Sequence, residues 1–220
     1  MRELFPYLKQ RVHLPKAKGT MLSLTTIIII LTAITSILAF NNRNLYGDLV
    51  MYPPAVGRGQ YYRLLTSGFI HADLNHLIFN MLTLYFFGKP VEDAMTTIIG
   101  KYGFLALYLG GIIISDIPSY IKHRNDAHYA SLGASGGVSS VVFAFIMFAP
   151  WAWFAFPPVP AIVYGVGYLF YCIYMGRRGG DNINHDAHFW GALFGVVFVL
   201  VNEPKMAAYF LNQLMHPQGP

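Results

Sequence analysis

Met21 to Phe40 runs for twenty residues without a charge and is rich in Ile and Leu. A helix rises 1.5 Å per residue, so a run of this length matches the hydrocarbon thickness of a bilayer, about 30 Å. Composition extends the argument to the whole chain. Of its 220 residues, 55% are hydrophobic and 11% charged, where a soluble domain carries about 25% charged residues. The length holds about six such spans with their loops. The expectation is an all-α polytopic membrane protein with six transmembrane helices.

Charge placement orients it. Arg2, Lys9, Arg11, Lys16 and Lys18 stand against a single Glu3 before the first span. That cluster puts the N-terminus in the cytoplasm by the positive-inside rule, and six spans return the C-terminus to the same side. The first apolar run follows this long basic arm, so it reads as a retained span rather than a cleaved signal. The net charge of +5 sits in the arm and in short loops, with no basic stripe interleaved with aromatics, which excludes a nucleic-acid partner. Cys172 is the only cysteine, so an internal disulfide and a Cys-x-x-Cys redox or zinc pair are excluded. Short loops with no added domain point to a bacterial inner membrane.

The remaining spans follow at His71–Gly88, Tyr102–Ile117, Ser131–Phe148, Pro157–Met175 and Ala187–Asn202. Lys89–Lys101 is expected to be a charged turn, Pro118–Ala130 a polar loop and Gly176–Asp186 a flexible one. Asn41–Ser67 is too polar to span and too aromatic for a free linker, so a structured interfacial loop is expected there. The organisation is a basic arm (1–20), a membrane domain (21–202) and a short tail (203–220).

Polar side chains inside spans are expensive and mark function by default. In the second span His76 and Asn80 are four apart and share a face. In the fourth, Ser135 sits within Gly133-Ala134-Ser135-Gly136-Gly137 at the mouth of an apolar run. Free N–H groups and the positive end of the helix dipole favour an anion at such a place. The hydrophobic part of this span is short, so its N-terminal end should stop inside the membrane depth, beside protein or a water-filled cavity. In the sixth span His188 is followed by Gly191, Ala192 and Gly195 on its own face. That small-residue stripe lets the sixth helix approach the fourth, against Gly136 and Gly137, and turns the imidazole toward the serine. The second, fourth and sixth helices enter from the same side, so their first turns share a depth.

The chemistry this supports is acyl transfer. His188 acts as base to Ser135 and then as acid to the leaving amine. The Ser135 N–H, the Asn80 amide and the His76 imidazole are candidate oxyanion donors. Asp186 lies nearly opposite His188 around a helix, so a dyad is expected rather than a triad. Gly-x-Ser-x-Gly also fits a hydrolase elbow, but nothing here alternates strand and helix. A zinc site from His185 and His188 with His71 or His76 lacks a His-Glu-x-x-His pattern and a carboxylate base. No metal and no cofactor are expected.

Together these residues resemble the rhomboid intramembrane serine proteases. The resemblance rests on Gly133-Ala134-Ser135-Gly136, His76-x-x-x-Asn80, Ala187-His188-x-x-Gly191-x-x-x-Gly195 and, in the first loop, Tyr62-Arg63 where the family has Trp-Arg. It implies a rhomboid-like bundle with Ser135 as nucleophile, His188 as base and His76 with Asn80 at the oxyanion hole. It also implies a mobile gate and cap formed by the fifth span and the Gly176–Asp186 loop. The partners implied are the lipid bilayer and transmembrane protein substrates. Many members carry a tyrosine four residues after the nucleophile, stacked under the histidine; here that position is Ser139. The alternative is a proteolytically silent rhomboid-like protein that binds membrane clients. A small transporter would explain the buried His and Asn but not the glycine-framed serine facing them.

Overall fold

The computed structural model describes residues 22–154, 157–181 and 183–217. The basic arm lies outside the described residues. Those described are helical, with no strand beyond two isolated bridges. The long helices are α1 (Leu24–Phe40), α2 (Leu74–Ile99), α3 (Gly103–His123), α4 (Ser135–Phe148), α5 (Ala161–Arg178), α6 (His185–Asn202) and α7 (Lys205–Met215).

α4 is the axis of the bundle. Every residue from Gly136 to Phe148 is buried, and the helix packs on α2, α3 and α6. A helix that is apolar all round belongs inside a bundle. Its fourteen residues reach only about 21 Å, less than a hydrocarbon core. The backbone before it is therefore irregular, as the small and hydroxyl residues there suggested.

Gly and Ser bring the helices together. A Cβ on Gly191 would collide with the Gly136 backbone, and one on Gly195 with the Ser140 backbone. The stripe after His188 thus meets α4 as expected at Gly136. Gly137 differs: it lies against Tyr108 of α3 instead. Among helices in lipid, packing of this kind replaces water exclusion as the source of association.

Two helices run on past the expected boundaries. α2 continues through Pro90 to Ile99, so Lys89–Lys101 is mostly helix rather than a turn. A side-chain pair, Lys89 with Asp93, bridges one turn there. Glu92 is turned inward and accepts from the backbone N–H of Leu24 (3.0 Å) and Thr25 (2.9 Å) and from the Thr25 hydroxyl (2.7 Å). It satisfies orphan donors at the start of α1 and places a negative charge at that helix's positive end. α3 likewise passes Pro118 and ends at His123. A proline removes one helical donor but does not end a helix whose sides are packed.

Gly103–His123 is, among the described residues, the one unbroken helix long and apolar enough to cross a membrane unaided. α1 and α4 are apolar but shorter, and α6 passes only when joined to α7, from which it is bent by 115°. α5 keeps only Ala161, Gly165 and Cys172 buried and lies at the periphery, mainly against α6.

The stretch after α1 is structured, as expected. It forms short helices at Arg43–Leu49, Pro53–Val56 and Arg63–Thr66. Arg63, 7% exposed, holds it together. Its guanidinium donates to the carbonyls of Gly47 (2.6 Å) and Val50 (2.9 Å) and to Gln60 Oε1 (2.6 Å).

Candidate active site

The segment before α4 is set by polar contacts from four directions. Ser131 and Met51 exchange both backbone hydrogen bonds at 3.0 Å. Gly133, at φ 119°, donates to the Ser67 carbonyl at 3.0 Å. That backbone angle favours glycine, and a side chain there would also strike the His76 ring. The Ala134 N–H donates to Nε2 of the fully buried His71 at 3.3 Å. That fixes the tautomer: His71 Nδ1–H donates to Ser36 Oγ at 2.9 Å, and the serine donates on to the Phe69 carbonyl at 3.1 Å. His71 is thereby committed to positioning the turn. From α6, the Asn184 amide caps its own helix through Ala187 N–H (3.0 Å) and donates to Ser131 Oγ (2.9 Å).

These contacts deliver Ser135 to the first position of α4, where no side-chain cap takes up the free N–H groups. Ser135, His188, His76 and Asn80 then line one cavity of 240 Å³. Its other walls are mainly apolar and include Phe79, Val142 and Phe143. The four come from α2, α4 and α6, and α5 adds Tyr164 and Tyr168 to the wall. Asn80 Nδ2 donates one hydrogen to the His76 carbonyl at 2.9 Å, which orients the amide and leaves its second hydrogen for a ligand. No hydrogen bond joins Ser135 to His188 among the described residues. Asp186 faces away and pairs with Lys122 at 2.9 Å.

Three features escaped the sequence reading. Tyr168 of α5 stacks on His188 with centroids 6.1 Å apart and planes 14° from parallel. Its hydroxyl bonds Ser139 Oγ at 2.9 Å. The ring missing at 139 is thus supplied by another helix, and the serine holds it. Asp116, 6% exposed within α3, accepts from Ser67 Oγ at 2.9 Å. Ser67 is the residue whose carbonyl holds Gly133, so this carboxyl braces the same turn. An ionisable residue inside a predicted span was a signal available for it. Third, His185 and His188 do come together, but with Cys172 of α5 rather than with His71 or His76. His185 Nε2 meets Asp181 Oδ2 at 3.0 Å, a bond that holds the Asp181 carboxyl below its ordinary range.

A family model, the Rhomboid domain, matches residues 58–203. Among curated relatives, RHOMBOID-like protein 12, mitochondrial, of Arabidopsis thaliana is 28% identical over 176 residues, covering 72% of this chain and 51% of that protein. Presenilin-associated rhomboid-like protein A, mitochondrial, of Danio rerio is 32% identical over 145 residues, covering 62% and 36%. The putative rhomboid protease YdcA of Bacillus subtilis is 34% identical over 87 residues, covering 40% and 41%. The chain thus spans about half the length of the plant relative and about a third of the fish one. The mitochondrial names among these relatives overturn the expected bacterial inner membrane. That expectation rested on short loops, which reflect how the chain crosses a bilayer and not which bilayer it crosses; the cytoplasmic placement of both termini goes with it. With the model matched across most of its length and the motifs gathered at one cavity, the chain belongs to the rhomboid family.

Proposed function

We propose that the protein is an intramembrane serine endopeptidase of six spans that cleaves transmembrane segments of other proteins with a Ser135–His188 dyad. The observation that carries this reading is the meeting of Ser135, His188, His76 and Asn80 at one cavity. The likeness to mitochondrial relatives suggests a mitochondrial membrane as its location.

In the proposed mechanism His188 removes the Ser135 hydroxyl proton as Oγ attacks the scissile carbonyl. The oxyanion is met by the Ser135 backbone N–H, the free Asn80 amide hydrogen and His76. One such donor is typically worth about 10²–10³ in rate. Protonated His188 then gives its proton to the leaving amine, and water, activated by the same base, releases the acyl group. Tyr168 is a positioning residue: it limits the imidazole to one plane where no aspartate orients it. A helical substrate hides its carbonyls in hydrogen bonds and must unwind before attack. Segments with small or helix-breaking residues are therefore preferred, and an Ala/Leu run laid across the cleaved site abolishes cleavage; equal cleavage of that variant would contradict the unwinding step.

The test of the dyad needs no substrate. Purified protein in detergent is treated with a serine-reactive fluorophosphonate beside Ser135→Ala and His188→Ala. Labelling in the parent and in neither variant is expected. A folded parent that does not label would favour the silent client-binding alternative.

A further inference from the structure

Cys172, His185 and His188 each present one ligating atom, and the three atoms lie within 4.8 Å of one another. Cys172 is 1% exposed and His185 3% exposed. His185 is the informative member. Its Nε2–H is taken by Asp181 Oδ2, and its Nδ1 is buried without a hydrogen-bond partner among the described residues. A buried polar atom left unpaired is unfavourable and calls for an explanation. A carboxylate holding one imidazole nitrogen while the other stays free is the arrangement that sets a histidine up as a metal ligand.

We propose that Cys172, His185 and His188 form a zinc site that switches the protease off. One thiolate with two imidazoles is a donor set that suits Zn²⁺. On binding, the Cys172 thiol loses its proton to solvent, and His185 Nδ1 and one nitrogen of His188 donate lone pairs. Two nitrogens at about 2.0–2.1 Å and one sulfur at about 2.3 Å from a tetrahedral ion sit roughly 3.3–3.6 Å apart, so the three atoms must draw in by up to about 1.5 Å. That movement falls to α5, the peripheral helix that carries Cys172 and that also bears Tyr168. An imidazole coordinated to zinc has no lone pair left to accept the Ser135 proton, so the ion and the base function exclude each other. The binding half of this inference rests on geometry alone; the inhibitory half rests on His188 being the base.

The test uses full-length, metal-free protein in detergent. Co²⁺ is titrated in as a spectroscopic substitute, and thiolate-to-metal charge-transfer absorption is followed, with Zn²⁺ as competitor. One equivalent is expected to bind. Cys172→Ser is expected to lose the band, His185→Ala to lose binding, and the surface variant Asp181→Asn to bind about 10–100-fold more weakly. Fluorophosphonate labelling of the parent should be blocked by Zn²⁺ and restored by a chelator, while Cys172→Ser labels in either condition. No band in the parent, or a band unchanged in His185→Ala, would overturn the site. Equal Zn²⁺ block in Cys172→Ser would overturn the switch. A parent that shows the band yet never labels would instead count against the serine-protease reading and leave the metal site standing.

Discussion

At the scale of the residue, the most informative position is one that departs from the family pattern. Ser139 stands where the resemblance to rhomboid proteases implies a tyrosine, and a hydroxyl cannot stack. Yet Tyr168 stacks on His188 and bonds Ser139, so the ring beside His188 comes from α5 and its anchor from α4. Aromatic pairing is worth about 0.5–1.5 kcal/mol beyond burial, which converts to roughly 2–12-fold in rate. Tyr168→Leu is expected to lower kcat/KM by about that factor, with intact fold by circular dichroism. Tyr168→Phe keeps the ring, loses the bond to Ser139 and should fall less. Equal losses would mean that the hydrogen bond, not the ring, positions the proposed base.

At the scale of the element, α6 carries both the proposed base and the means of placing it. Gly191 and Gly195 allow its backbone to lie on that of α4, so the depth and rotation of His188 follow from glycines rather than from contacts of the imidazole itself. A methyl group at Gly195 would meet backbone, which cannot yield as a flexible side chain would. Gly195→Ala is expected to destabilise the protein by about 1–3 kcal/mol, read as a lower midpoint of thermal unfolding in detergent, and to weaken fluorophosphonate labelling as well. The element boundaries were less legible than the contacts. Lys89–Lys101 and Pro118–Ala130 read as a turn and a loop from their charge and polarity, but α2 and α3 run on through Pro90 and Pro118, and Glu92 ties the extended part of α2 to the start of α1. The partners of Asp116 and Tyr168 were illegible for another reason: Ser67 and Ser139 are distant in sequence, and no spacing rule connects them.

At the scale of the whole molecule, the proposed six crossings make a topological prediction. An even number returns the chain to its starting side. Single cysteines at Leu22 and Lys205, in a Cys172→Ser background, should react with a membrane-impermeant maleimide from the same side of sealed vesicles. Labelling from opposite sides would require an odd count, and with it a different entry direction for α2, α4 or α6. By itself the sequence determined that this chain is helical and unusually apolar, because apolar length and charge deficit bear on every residue separately. It determined the candidate residues too, because a polar group in a span is unfavourable wherever the span lies. Only the tertiary structure decided which side chains serve them. Met51, Ser67, His71 and Asn184 converge on one turn from elements tens of residues apart, and Tyr168 and Cys172 reach His188 from a neighbouring helix. Such partnerships depend on how helices rotate and approach, which is fixed by close packing between them and not by the periodicity of any one of them.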